Sequence, residues 1–168
     1  MLDLLPIALF LGFLIAAACS DVATMTIPNW LSVALAVVFP IVALIAGLPL
    51  GAIGMHVLFG FGVLAACFLL FQFGIMGGGD AKLIAAAAVW TGVAAFLPFV
   101  LWTMIAGGGL ALTLLLVRAR VKPTETRPAF VNRLLKPRGG VPYGVAIMAG
   151  GIAALQALPF VASPLTAP

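Results

Sequence analysis

Asp21 and Asp80 are the only acidic residues in the long apolar body of this chain, and each sits where an apolar, helix-like segment meets a short polar turn. A carboxylate is expensive in hydrocarbon, roughly 2.5 to 3.5 kcal/mol at a helix centre and less near the interface, so an acid kept there points to function. Two carboxylates brought together cannot both ionise cheaply, and such a pair shares a proton near neutral pH. The ionised partner can then take a proton from water while the protonated one polarises a carbonyl. That is amide hydrolysis without a metal or a covalent intermediate.

The neighbours of each acid leave a second reading open. Asp21 is followed by Thr26-Ile27-Pro28-Asn29, which also reads as a solvated aspartate ending one helix with a proline starting the next. Asp80 closes Gly77-Gly78-Gly79-Asp80 with Lys82 just beyond, which also reads as a loop ending in an aspartate N-cap. Other chemistries find fewer residues. His56 is the only histidine, no H-E-x-x-H or G-x-S-x motif occurs, and Cys19 and Cys67 lie apart in or beside apolar runs without a C-x-x-C. The cysteines are expected to be unpaired core residues. No metal site and no cofactor are expected.

The elements that position the acids follow from composition. With 65% hydrophobic residues, 7% charged residues and a mean hydropathy of +1.33, the chain cannot hide its apolar surface in one soluble globule. It reads as a single all-α, polytopic membrane domain over residues 1–168. The first segment lacks a basic flank and carries Asp3, so it reads as a span and not as a secretion signal, despite Ala16-Ala17-Ala18-Cys19. Apolar runs predict six helices, at about 4–20, 30–50, 53–75, 82–96, 98–117 and 141–161. The stretch from Leu83 to Val117 has no charge and as one straight helix would be about 52 Å long, so a break is predicted at Pro98. Arg118, Arg120, Lys122, Arg127, Arg133, Lys136 and Arg138 all fall in one connection, 118–140, which is expected to be cytoplasmic and to meet anionic headgroups. Within it, Phe130 to Lys136 is compatible with a short interfacial turn between prolines. Six spans then put both aspartate turns on the cytoplasmic side and both termini outside.

Asp21 with Ile27-Pro28-Asn29, Gly77-x-Gly79-Asp80-x-Lys82, and Pro142-Tyr143-Gly144 opening the last helix together resemble the type IV prepilin peptidases, membrane aspartyl proteases of the G-x-G-D type. The resemblance implies cleavage of a prepilin's short basic leader on the cytoplasmic side, after a glycine and just ahead of the pilin's apolar helix. It implies Asp21 and Asp80 as the catalytic pair and Gly77 and Gly79 as backbone that lets a substrate strand approach and tolerates positive φ. Lys82 either tunes the pair or snorkels to the interface. Longer bacterial members also carry a cytoplasmic methyltransferase region, whereas this chain starts with a span. It therefore looks like the short, peptidase-only form similar to those serving tight-adherence (Flp-type) pili. Thr26 stands where many relatives carry a basic residue.

Two readings from other classes compete. A proton-coupled transporter or channel would use the acids as a relay, but the midspans offer few polar groups, chiefly Thr91, Thr113 and Gln156, and no internal repeat. A noncatalytic scaffold would use small-residue faces such as Ala149-Gly150-Gly151, and leaves two acids at one face unexplained.

Overall fold

The computed structural model describes residues 4–137 and 139–159. Asp3, Arg138, the end of the last predicted span and the predicted outside position of both termini lie outside the described residues. Within them the chain forms α1 (Leu4–Thr24), α2 (Asn29–Ile45), α3 (Leu50–Gln72), α4 (Gly78–Arg120), α5 (Ala129–Leu134) and α6 (Tyr143–Ala153), then a 3-10 turn at Leu155–Ala157. Three of these, α1, α3 and α4, are long and apolar enough to cross a membrane; α2 and α6 are shorter apolar helices. Large apolar side chains on the outer faces, among them Val37, Phe61, Leu97 and Ile105, are more than half exposed. Helices apolar on all sides are the pattern of a bundle bathed in hydrocarbon.

The inner faces hold a core built from every long element. Phe10 and Leu14 of α1, Leu35 and Phe39 of α2, Leu83, Trp90 and Phe99 of α4 and Ile147 of α6 are buried in one cluster. Trp90 also donates its indole N–H to the Leu35 carbonyl at 2.7 Å, which satisfies a polar atom that burial would otherwise strand. The buried stripe of α1 runs Phe10, Leu14, Ala17, Ala18, Asp21. Cys19 falls off that stripe and is exposed, contrary to the expectation of a core residue, while Cys67 is buried; both are free thiols.

Glycines set how closely the helices approach. On α6, Gly144 lies against Ala17 and Asp21, and Gly151 lies against Leu14 and Phe10, so α6 runs antiparallel to α1. Gly150 meets Thr103 and the Phe99 carbonyl, and Tyr143 lies over Gly107, so α6 is also antiparallel to the later part of α4. The early part of α4 starts beside Ile27 at Gly79 and reaches Leu35 at Trp90, running the opposite way. The long apolar stretch is therefore a hairpin of two arms, and both Asp21 and Asp80 fall at the same end of the bundle.

The reversal is at Gly92 and not at the predicted Pro98. Gly92 has φ 55 and ψ −169, whereas Pro98 stays inside the helix. Proline's fixed φ is itself helical, but that positive-φ region is open essentially to glycine alone. Space adds a second requirement: a Cβ on Gly92 would lie 2.5 Å from Cε1 of His56. The His56 ring is held there by a 2.8 Å hydrogen bond between Nδ1 and the Val89 carbonyl and by stacking on Phe39. Gly92→Ala should accordingly lose about 1 to 3 kcal/mol from backbone strain alone and unfold several degrees lower in detergent. Pro98→Ala should leave the unfolding temperature unchanged or raise it.

Candidate active site

Asp21 lies within the last turn of α1, which continues to Thr24 instead of ending at the acid. The chain turns at Met25, whose φ is 57, and the turn is tied by hydroxyls: Ser20 donates to the Thr26 carbonyl at 3.0 Å and Thr24 to the Ser20 carbonyl at 2.8 Å. Residues 26–28 then leave the helix, and the extended Pro28 is the N-cap of α2, one residue earlier than a proline in the first helical position. Asp21 is not a solvated helix end. It is 6% exposed, and its Oδ2 accepts the Gly144 backbone N–H at 2.8 Å.

Asp80 stands third in α4, whose N-cap is Gly77. The carboxylate folds back on that glycine, taking support from its backbone amide, as an acid at this helix position can. The expected aspartate N-cap is thus replaced by a glycine cap with the acid reaching back to it. Gly77 has φ −72 and Gly79 is helical, so neither uses positive φ. Their missing side chains serve close approach by the protein itself: a Cβ on Gly77 would lie 2.8 Å from Oδ2 of Asp80, and one on Gly79 3.3 Å from Cβ of Ile27.

Both acids line one cavity of about 530 Å³ and are close enough for their charges to interact. One wall is Met25, Thr26, Ile27 and Asn29; another is Gly77 to Asp80. Ile27 is buried and fixes the stretch before α2 against Gly79. Lys82 is not among the lining residues; its Nζ donates to Oδ1 of Asn29 at 2.8 Å and so holds a side chain that does line the cavity. Pro142 caps α6, Tyr143 packs over Gly107, and Gly144 supplies the amide to Asp21, so all three residues of that motif meet at this end.

The remaining wall is the part that sequence reasoning missed. Arg133, Lys136, Gly139, Gly140 and Val141 complete the cavity. The segment contains a short helix, α5, near the predicted interfacial turn, while Arg118 and Arg120 belong to the end of α4. Arg133 donates to the Ala23 carbonyl at 2.7 Å, fastening α5 to the end of α1. Arg118 donates to three carbonyls, Leu134 at 2.7 Å, Gly139 at 2.8 Å and Gly140 at 2.7 Å. A planar guanidinium suits such a fork, and a lysine cannot copy it. The basic pattern identified these residues only by charge, because backbone acceptors leave no mark in a sequence.

Arg118→Lys keeps the charge and should speed hydrogen exchange in residues 134–141 by about 10-fold or more, the scale of losing hydrogen bonds to a charged donor. Arg120→Lys, on an exposed residue, should leave exchange there unchanged.

Comparison with known proteins finds one family match, over part of the chain. The model of the type IV leader peptidase family matches residues 8–112, a span that holds Asp21, Ile27-Pro28-Asn29 and Gly77 to Lys82 but not Pro142-Tyr143-Gly144. No curated protein and no solved structure matches the chain. With more than half of its residues matched, and with both acids inside the match, the chain belongs to the type IV leader peptidase family.

Proposed function

We propose that this chain is a multi-pass membrane aspartyl endopeptidase that removes the basic leader of a prepilin at the cytoplasmic face of the bacterial inner membrane. The observation that carries the reading is the shared cavity of Asp21 and Asp80, with one acid oriented by the Gly144 amide. Membership of the family supplies the leader-peptide substrate.

The chemistry follows from hydrogen-bond direction. The Gly144 N–H can only donate, so Oδ2 of Asp21 is an acceptor and any proton on that carboxyl sits on Oδ1. A water between the acids loses a proton to the ionised carboxylate as its oxygen attacks the scissile carbonyl. The protonated carboxyl donates to the carbonyl oxygen as negative charge builds there. Collapse of the tetrahedral species breaks the C–N bond, and the proton taken from water passes to the leaving amine. Asp21 and Asp80 are the catalytic residues in this scheme. Gly77, Gly79, Gly144 and Ile27 hold them, and Pro28, Asn29, Lys82, Pro142 and Tyr143 hold the surrounding turns.

Six spanning segments, counting the two arms of α4 separately, keep the 118–140 connection and both acids on the cytoplasmic side, with the termini outside. In that arrangement the exposed Arg120 and Lys122 face anionic headgroups. The tight-adherence (Flp-type) reading belongs to the same proposal. A proton relay is not favoured: Thr91 and Thr113 bond back to carbonyls of their own helix, Ala88 and Gly109, instead of facing a path.

Purified protein should cleave a synthetic prepilin after its leader glycine. Asp21→Asn and Asp80→Asn, each confirmed folded by thermal unfolding, should lower the initial rate by roughly 10³-fold or more, since an amide keeps the shape and cannot exchange the proton. A near wild-type rate in either would remove the dyad. For topology, single cysteines at Thr124 and Ala46, with Cys19 and Cys67 replaced by Ala, should label from opposite sides, Thr124 from the cytoplasm. Labelling of both from one side would contradict the six-span arrangement.

A further inference from the structure

A second cavity of about 420 Å³ opens between α2, α3 and the first arm of α4. Its walls are apolar, with Val33, Ala36 and Val37 on one side and Phe61 and Leu64 on the other, and only Ser32 and Lys82 bring polar atoms. Lys82 joins it to the catalytic cavity through its hydrogen bond to Asn29, which lines that cavity. Ser32 is 4% exposed, and its Oγ is buried without a hydrogen-bond partner. A stranded hydroxyl in hydrocarbon is costly, so one kept there implies a partner that arrives.

We propose that this groove seats the first turns of the prepilin's apolar helix, immediately after the cleaved bond. The proposal rests on the leader-peptidase reading above and adds where its substrate lies. Depth fits, because Ser32 is within one helical turn of Asn29 at the catalytic end of α2. Length fits too: from Ser32 to Pro40 the groove wall runs about 12 Å, the rise of about eight helical residues. Its floor includes Ala85 and Ala86, small residues that admit another helix closely.

Chemistry chooses the occupant. A lipid acyl chain has no donor or acceptor and would leave Ser32 stranded. The first turn of a helix instead carries up to four N–H groups without intrahelical partners, and a hydroxyl oxygen can accept one of them. Lys82 at the mouth repels the basic leader, so only the apolar part of the substrate is admitted, with the leader left on the cytoplasmic side of the acids.

The test places p-benzoyl-phenylalanine at Phe61, and separately at Ile105 on the other arm of α4, in an Asp80→Asn background that holds the prepilin uncleaved. Irradiation with full-length prepilin in lipid nanodiscs should cross-link its apolar helix from Phe61 and not from Ile105. In parallel, Ser32→Ala should fold at least as stably as wild type, since it removes an unpartnered group. It should raise KM for full-length prepilin about 3- to 10-fold, the scale of one net hydrogen bond, with little change in kcat. Cross-links from Phe61 confined to lipid, equal cross-linking from both positions, or an unchanged KM would each overturn the groove. Cleavage by the unmodified protein in the same preparation separates the two levels: its absence would count against the leader-peptidase reading, whereas its presence with lipid-only cross-links would count against the groove alone.

Discussion

The hydrogen bond from the Gly144 amide to Asp21 is the contact on which the arrangement of this end of the protein depends. It joins α6 to α1 and fixes a buried carboxylate that α1 alone would leave without a partner. It forms because α6 packs on α1 with almost nothing between the backbones: a Cβ on Gly144 would lie 3.1 Å from Cβ of Asp21 and 3.3 Å from the Ala17 carbonyl. The same helix reaches the second arm of α4 through Gly150, so α6 is held on both flanks. Asp80 comes to the cavity from a separate element, carried by a glycine-capped helix start that Ile27 packs against. Neither acid reaches the other through its own helix; the long-range contacts bring them together.

A bundle with apolar exteriors tolerates few unpaired polar groups, and this constraint accounts for several otherwise odd side chains. The hydroxyls of Ser20 and Thr24 close the turn after Asp21, and Thr103 bonds to the Phe99 carbonyl of its own helix. Arg118 and Arg133 cover carbonyls of the irregular segment and of the end of α1, so irregular backbone can stand beside the cavity. Against that background the single stranded hydroxyl at Ser32 is informative among the described residues, because the surrounding chain satisfies comparable groups wherever it can.

Much of the site was legible because its chemistry and its location are both written in residue type. Two acids in an apolar chain, each beside a glycine- or proline-marked turn, are visible without coordinates, and counting apolar runs puts them at one end. The break in the fourth apolar run was misplaced because proline is the stronger local signal, while the need for glycine at Gly92 arises from a reversal and from His56, a residue distant in sequence. The role of Pro142-Tyr143-Gly144 could not be read from residue type, because its glycine amide is what donates to Asp21 and a backbone donor carries no residue signature. Lys82, read from sequence as either tuning the acids or snorkelling, also secures Asn29, a contact that residue type does not announce. The carbonyl-binding roles of Arg118 and Arg133 were hidden for the same reason as Gly144's.

In the proposed reaction, water held between Asp21 and Asp80 attacks the peptide carbonyl directly. Single-turnover cleavage in ¹⁸O-enriched water, with enzyme in excess over prepilin, follows that water oxygen to its destination. Mass spectrometry of the released leader should find one solvent oxygen in its new C-terminal carboxylate from the first turnover, with none in either aspartate. An unlabelled leader carboxylate, or solvent oxygen recovered in Asp21 or Asp80, would mean that an aspartate attacks the carbonyl itself and would contradict the water-activation mechanism.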